Sequence, residues 1–377
     1  MEWIIVGLIA FTTFSCFYFL KVVDLPYLVY QAGGEGEKWS VRCPSLNRPF
    51  RPLFWSYNRH LQVIVHYIMC RKKRKDFFRR DTIVLRDAGT IALDWWEDPA
   101  VPLPASAPVA MVLYTICGKR RDFAPFAQQL SRKGLRVVVL QRRGHDGLEL
   151  TAPKLNPFGC IDDLNVQVDY IRNLYPAASL FMYGESAGTA LLVKYLGEQG
   201  DNAPIKAAIA CCPGYDLERA FTRVMSFYDR LMTKRMIRFF LYRHESMLKA
   251  AQGYDECEAS VSMKDFFGNI YKIAGFPNSS SFFHELNPMH VARKITVPLL
   301  VLNAYDDPVC VDRNARDYEE IFRMAPNLLM VKTKRGSHCA FYEGWFRPKS
   351  WSVKMAAEFF EVFSSDHKKS YSFQGDV

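Results

Sequence analysis

The stretch Ser179-Leu-Phe-Met-Tyr-Gly184-Glu185-Ser186-Ala187-Gly188-Thr189-Ala-Leu-Leu-Val-Lys-Tyr-Leu196 decides how the chain is read. Its first five residues are an apolar run of strand length, and its last eight have the spacing of a helix. Between them lies Gly-x-Ser-x-Gly. The physical demand of such a turn is specific. A strand must reverse into a helix within a few residues, so the small residues on either side leave room for helix and strand to approach. The serine then occupies the strained apex, with its hydroxyl above the sheet and at the helix N-terminus. The backbone N–H of the following residue, Ala187, is placed to stabilise an oxyanion. This pattern marks Ser186 as a candidate nucleophile.

Outward from this turn, strand and helix patterns alternate. On the N-terminal side, Thr82 to Arg86 and Thr90 to Trp96 flank Asp87-Ala-Gly and predict a hairpin. Val109 to Tyr114 and Leu135 to Leu140 are continuous apolar runs, the mark of strands buried on both faces. A helix over Asp122–Lys133 is predicted between them, and another over Ile161–Leu174. On the C-terminal side come strands at Ile205, Val297 and Leu328, a helix near Asp317 to Phe322, and a last helix from Trp351 to Phe363. Such alternation predicts an α/β fold, a mostly parallel sheet with helices on both faces. The alternation breaks at residues 217–294, a helical stretch rich in basic and aromatic side chains. That reads as a cap inserted over the strand C-termini.

A serine hydroxyl is inert without a base. In folds that carry Gly-x-Ser-x-Gly at such a turn, the acid and then the histidine follow the serine in chain order. His338 lies in Gly336-Ser337-His338, just past the last predicted strand, and is the candidate base. Asp306 and Asp307 both follow the strand before it. One can orient the imidazole while the other holds the loop, and the residues alone leave the choice open.

With these residues in view, the chain resembles the α/β-hydrolase family of membrane-anchored lipid hydrolases that includes acylglycerol lipases, a phospholipase and ethyl ester synthases. The matching stretches are His60-Leu61-Gln62, Ala92-Leu93-Asp94-Trp95, Gly184 to Gly188, Asn303-Ala-Tyr-Asp-Asp-Pro308 and Gly336-Ser-His-Cys-Ala-Phe-Tyr-Glu-Gly344. The likeness runs from about Arg59 to Phe363. It implies an α/β-hydrolase fold and assigns the acid to Asp307. It also implies a second oxyanion donor from the loop after the third strand, at Ile116. There the chain departs from the family: Tyr114-Thr115-Ile116-Cys117-Gly118 stands where many members carry His-Gly-Leu-Thr-Gly. Gln141 or Arg142 likewise replaces a family Asn. Losing one oxyanion donor lowers a rate by about two to three orders of magnitude. The expected function is therefore a serine hydrolase of lipid carboxylic esters working through an acyl-enzyme, with acyl transfer to an alcohol as a variant. The altered loop motivates the alternative, a weakly active or inactive lipid- or sterol-binding protein on the same scaffold.

The remaining composition sets the surroundings. Trp3 to Leu20 holds no charged residue, enough to span a bilayer, and the flanks lack the basic n-region and cleavage motif of a signal peptide. Residues 1–21 are expected to be a single-pass transmembrane anchor, in the endoplasmic reticulum or another endomembrane. Which side the domain faces stays open. Lys21 and Lys38 favour a cytosolic domain, whereas the Asn278-Ser279-Ser280 sequon and the family's usual topology favour the opposite side. Residues 22–80 are expected to be a membrane-proximal linker ending in a basic amphipathic segment, 81–363 the catalytic domain, and 364–377 a polar tail.

The net charge of +10 is concentrated at Arg71-Lys-Lys-Arg-Lys75, beside the apolar Leu61–Met69 stretch. That pattern fits a membrane surface, and no nucleic-acid-binding motif accompanies it. The 10 cysteines and 8 histidines show no metal-ligand spacing, so neither metal nor cofactor is expected. Cys211 and Cys212 read as core thiols, and His60 and His66 are too far apart for one metal-binding helix face.

Overall fold

The computed structural model describes residues 2–72 and 75–364. Lys73, Arg74 and the tail residues 365–377 therefore lie outside it. Nine strands form one sheet: β1 (Tyr27–Val29), β2 (Phe78–Val84), β3 (Thr90–Trp96), β4 (Val109–Leu113), β5 (Arg136–Gln141), β6 (Leu180–Glu185), β7 (Ala207–Cys211), β8 (Leu299–Ala304) and β9 (Leu328–Thr333). Their spatial order is β1-β9-β8-β7-β6-β4-β5-β3-β2. The centre, from β5 through β9, is parallel, while β3 joins β5, β2 joins β3 and β1 joins β9 antiparallel.

Every residue of β4, β6, β7, β8 and β9 is buried. That is why these segments read as unbroken apolar runs: both of their faces are covered. One face packs on α4 (Ala124–Ser131) and the C-terminal helix Trp351–Ser364, the other on α5 (Ile161–Leu174) and α6 (Gly188–Gln199). The chain leaves β4 for β5 on one side and returns to β6 on the other. Such a reversal opens a crevice at the strand C-termini. The register brings Leu113 beside Gly184, so the loop after β4 lies against the turn after β6.

The cap expected over 217–294 is helical, opening with α7 (Leu217–Arg223) and α8 (Ser226–Met236). It buries its own aromatic cluster, in which the Phe221 and Phe267 rings stack at 4.5 Å.

The N-terminal part differs from the sequence reading. The apolar helix α1 (Glu2–Phe17) continues through a π-turn to Val22, long and apolar enough to cross a membrane. The segment expected to be a linker is folded onto the domain. Asp24 bridges to Phe50, β1 adds an edge strand to β9, and α2 (Glu35–Arg42) buries Trp39 against Phe359 and Phe363. Phe50 sits 4.9 Å from the Trp351 ring. Short elements spaced by Pro and Gly carry no period of their own. Their order comes from apolar side chains docking into a core formed elsewhere in the chain. α3 (Arg59–Arg71) is the expected amphipathic segment and is a regular helix capped by Asn58.

Candidate active site

Ser186 sits in the turn between β6 and α6 with φ at +51°, a left-handed conformation that L-residues rarely hold. Its N–H donates to the Cys211 carbonyl of β7 at 2.9 Å. The two glycines of the motif are there for space. A Cβ on Gly188 would stand 2.0 Å from the Leu113 carbonyl oxygen, an impossible contact, and one on Gly184 would meet the first turn of α6 at 3.1 Å.

The hydroxyl of Ser186 lies 2.9 Å from Nε2 of His338, and Nδ1 of His338 lies 2.8 Å from Oδ2 of Asp307. The three residues expected from sequence thus form one hydrogen-bonded line. The acid is fixed in turn. Oδ1 of Asp307 accepts the backbone N–H groups of Val309 and Cys310 at 2.8 and 2.9 Å. Burial alone would keep the imidazole neutral, but the adjacent Asp307 carboxylate prevails and raises the His338 pKa well above 6.5.

The neighbouring carboxylate has a different task. Asp306 accepts the N–H of Ser337 at 2.9 Å and faces Arg335 at 3.7 Å, so it holds the loop that carries His338. Its own burial raises its pKa to about 6. That loop is conformationally demanding: Ser337 and Cys339 both have positive φ, and a Cβ on Gly336 would strike the Phe341 ring.

Ala187 and Ile116 are both buried and pack in one cluster with the cap. Arg142, which in sequence stands out only as a departure from the family, organises the loop that carries Ile116. Its guanidinium donates to the Thr115 carbonyl at 2.8 Å and the Tyr114 carbonyl at 3.3 Å, and stacks over the Tyr114 ring. The carbonyl of Thr115 and the N–H of Ile116 belong to one planar trans peptide. Holding the carbonyl towards Arg142 therefore turns the Ile116 N–H to the opposite side. From the cap, Arg235 donates to the Cys117 carbonyl at 3.1 Å. Thr115 is accommodated because Gly118 closes the turn beneath it: Gly118 N–H donates to Thr115 O at 3.2 Å, and a Cβ there would stand 2.7 Å from the threonine hydroxyl. No sequence pattern announces these two arginines, because each reaches its carbonyl across the fold.

A cavity of about 560 Å³ lies beside the line. Thr115, Glu185 and Cys339 border it, each one position from Ile116, Ser186 and His338. Its opposite wall is α3, through His66 and Met69. Burial pushes the Glu185 carboxyl well above the usual carboxylate range. Burial likewise lowers the pKa of His66 to about 4. His60 and His66 occupy separate places, His60 on Tyr228 and His66 against Tyr342 and Cys70. Cys211 and Cys212 are core thiols that meet a third, Cys339, with all three sulfurs within 4.8 Å. Such a set is spaced to hold a soft cation, and sequence spacing misses it because Cys339 comes from the loop after β9, 127 positions from Cys212.

Residues 116–343 match the family described as serine aminopeptidase, S33. The chain belongs to this family. Its members share the α/β-hydrolase fold seen here. Among curated relatives, the human monoacylglycerol lipase ABHD2 is 25% identical over 363 residues, covering 89% of this chain and 84% of its own length. The bovine phospholipase ABHD3 is 24% identical over 365 residues, covering 93% and 87%. A Staphylococcus aureus protein of unknown function has the same fold, with a TM-score of 0.51 at 15% identity over 76% of this chain and 98% of its own.

Proposed function

We propose that this family member is a membrane-anchored carboxylic ester hydrolase acting on lipid esters. The observation that carries the reading is the unbroken Ser186–His338–Asp307 line at 2.9 and 2.8 Å. Ser186 attacks the ester carbonyl while His338 takes its proton. Asp307 fixes the imidazole tautomer and stabilises the imidazolium. The N–H groups of Ala187 and Ile116 receive the developing oxyanion. His338 then returns the proton to the leaving alcohol, and water resolves the acyl-enzyme by the same route.

Three features support a lipid ester over a peptide with a free amino terminus. The cap side of the site is a buried apolar aromatic cluster around Phe158, Phe221 and Phe267, which gives the site apolar surroundings. The acid beside the nucleophile in the chain, Glu185, is buried, and burial disfavours the anion that an ammonium group would need. The curated relatives named above are a monoacylglycerol lipase and a phospholipase. The α1 helix supplies single-pass anchorage beside the substrate.

The test is covalent labelling of the full-length protein in detergent by a fluorophosphonate, followed by turnover of a long-chain monoacylglycerol. Labelling and turnover are expected in the native protein and absent in Ser186→Ala and His338→Ala. Folded native protein that neither labels nor turns over ester would replace this reading with lipid binding alone.

A further inference from the structure

Beyond the apolar N-terminal helix, exposed large apolar side chains recur on α3, on α8 and on the loop after Tyr342. On α3, Leu61, Ile64 and Ile68 recur at helical spacing and are all exposed, with Ile68 59% accessible. The opposite side of α3 is buried through Gln62 and Val65. On α8, Phe227 and Leu231 are exposed one turn apart, while Tyr228 turns inward. Beside them, Trp345 and Phe346 project from the loop that follows Tyr342, and Phe346 is 82% accessible. Contiguous apolar area of this kind is rare on a soluble monomer and marks something that covers it.

These pieces are joined to one another and to the anchor. The His60 ring stacks on Tyr228 and bonds its hydroxyl at 2.8 Å, tying α3 to α8. His66 meets the Tyr342 hydroxyl at 3.3 Å, tying α3 to the Trp345 loop. Phe54 packs at 4.9 to 5.0 Å against Phe14 and Tyr18 of the apolar N-terminal helix on one side and Trp345 on the other. The face is therefore continuous with the segment that crosses the bilayer. Its margin is basic, with Arg71 and Lys72 at one end of α3, Arg230 and Lys234 on α8, and Arg347 beyond Phe346, all exposed. Apolar side chains inside a cationic border match the acyl boundary and headgroups of an anionic leaflet. Directly behind α3 lies the 560 Å³ cavity that reaches the neighbours of Ser186 and His338.

We propose that α3, α8 and the Trp345–Phe346 loop form one face seated in an anionic leaflet, and that the lipid substrate passes from that leaflet behind α3 to Ser186 without crossing water. The proposal rests on the hydrolase reading for its substrate, though not for the seating of the face.

The test uses the full-length chain in vesicles containing phosphatidylserine, with two substrates: a long-chain lipid ester in the bilayer and a short water-soluble ester. Ile64→Glu with Ile68→Glu should lower turnover of the bilayer ester at least tenfold and leave the soluble ester within twofold. Val84→Glu with Val261→Glu, at exposed apolar positions elsewhere, should leave both unchanged. Equal loss on both substrates, or no loss on the bilayer ester, overturns the proposal. A second measurement is independent of catalysis. The Ser186→Ala protein in bilayers holding a lipid with a diazirine on its acyl chain should carry photoadducts on α3 and α8, and adducts confined to α1 would overturn the seating. If neither ester is hydrolysed by the native protein, the hydrolase reading fails and the photoadducts still decide the face.

Discussion

The parallel centre of the sheet and the N-terminal layer that docks on its edge are built by opposite means. In the centre, each strand is buried on both faces, so a local run of apolar residues already determines its structure. In the layer from Leu25 to Asn58, no element exceeds eight residues. Its order comes from single large side chains, Trp39 and Phe50 among them, that enter a core made by residues three hundred positions away. The first region holds the candidate chemistry, and the second joins it to the apolar N-terminal helix. Variants in the two regions should therefore separate activity from stability.

The largest effect is expected at the acid. Asp307→Asn keeps the shape but loses the tautomer control and the charge, and should lower kcat by about 10⁴-fold with little change in melting temperature. The pH profile sharpens this. A base must be neutral to accept a proton, and Asp307 raises the His338 pKa. The native kcat/KM should then rise with pH through a titration above 6.5, the ordinary histidine value, and residual activity in Asp307→Asn should titrate at lower pH. A pH series on both proteins measures the difference.

The next effect should fall on the other region. Phe50→Ala removes a buried ring from between Phe341 and Trp351 and should cost about 3–5 kcal/mol of stability, read by denaturant unfolding. The kcat of the folded fraction should remain within a few-fold. A large loss of kcat at unchanged stability would erase the division drawn above.

A smaller change is expected at Arg142. Arg142→Met keeps the packing of the side chain but frees the Thr115 carbonyl, and should lower kcat about 10²-fold with KM nearly constant. A change confined to KM would instead place Arg142 in substrate binding.

The last effect is one of pH dependence and concerns Asp306. Its folded pKa, about 6, lies above the ordinary aspartate value of 3.8. The folded state therefore holds this proton more tightly than the unfolded chain, and stability falls as pH rises between those values. Asp306→Asn should show no such fall. The native-minus-variant difference in unfolding free energy should worsen by up to about 3 kcal/mol across that window and stay flat above it.

How much of this was legible in the sequence follows from the same contrast. The Gly-x-Ser-x-Gly turn, the alternation of strands and helices around it, His338 and the Asp306–Asp307 pair are all local signals, written in residues adjacent to the feature they specify. Asp306 and Asp307 could be named but not told apart by the physics of the sequence, since their roles depend on which one faces an imidazole thirty-one positions later. Arg142 reads as a blemish in a motif until its guanidinium is seen on the Thr115 carbonyl. β1, three residues long, is specified only by its pairing with β9 and has no period to detect. Asp94, part of a motif that suggests function, takes a structural role: fully buried, it receives Arg80 through two 2.7 Å contacts. Removing a partner of such a pair strands the other charge.

One feature of the N-terminal layer bears on where this protein can work. The apolar helix ends at Val22 and β1 begins at Tyr27. Four residues, fully extended, span at most roughly 14 Å. With the anchorage proposed above, a body held on so short a leash stays within that distance of one bilayer, with its tilt nearly fixed. Such a protein would patrol in two dimensions, and the concentration of the proposed substrate that counts would be the mole fraction of that lipid in the one leaflet beneath it.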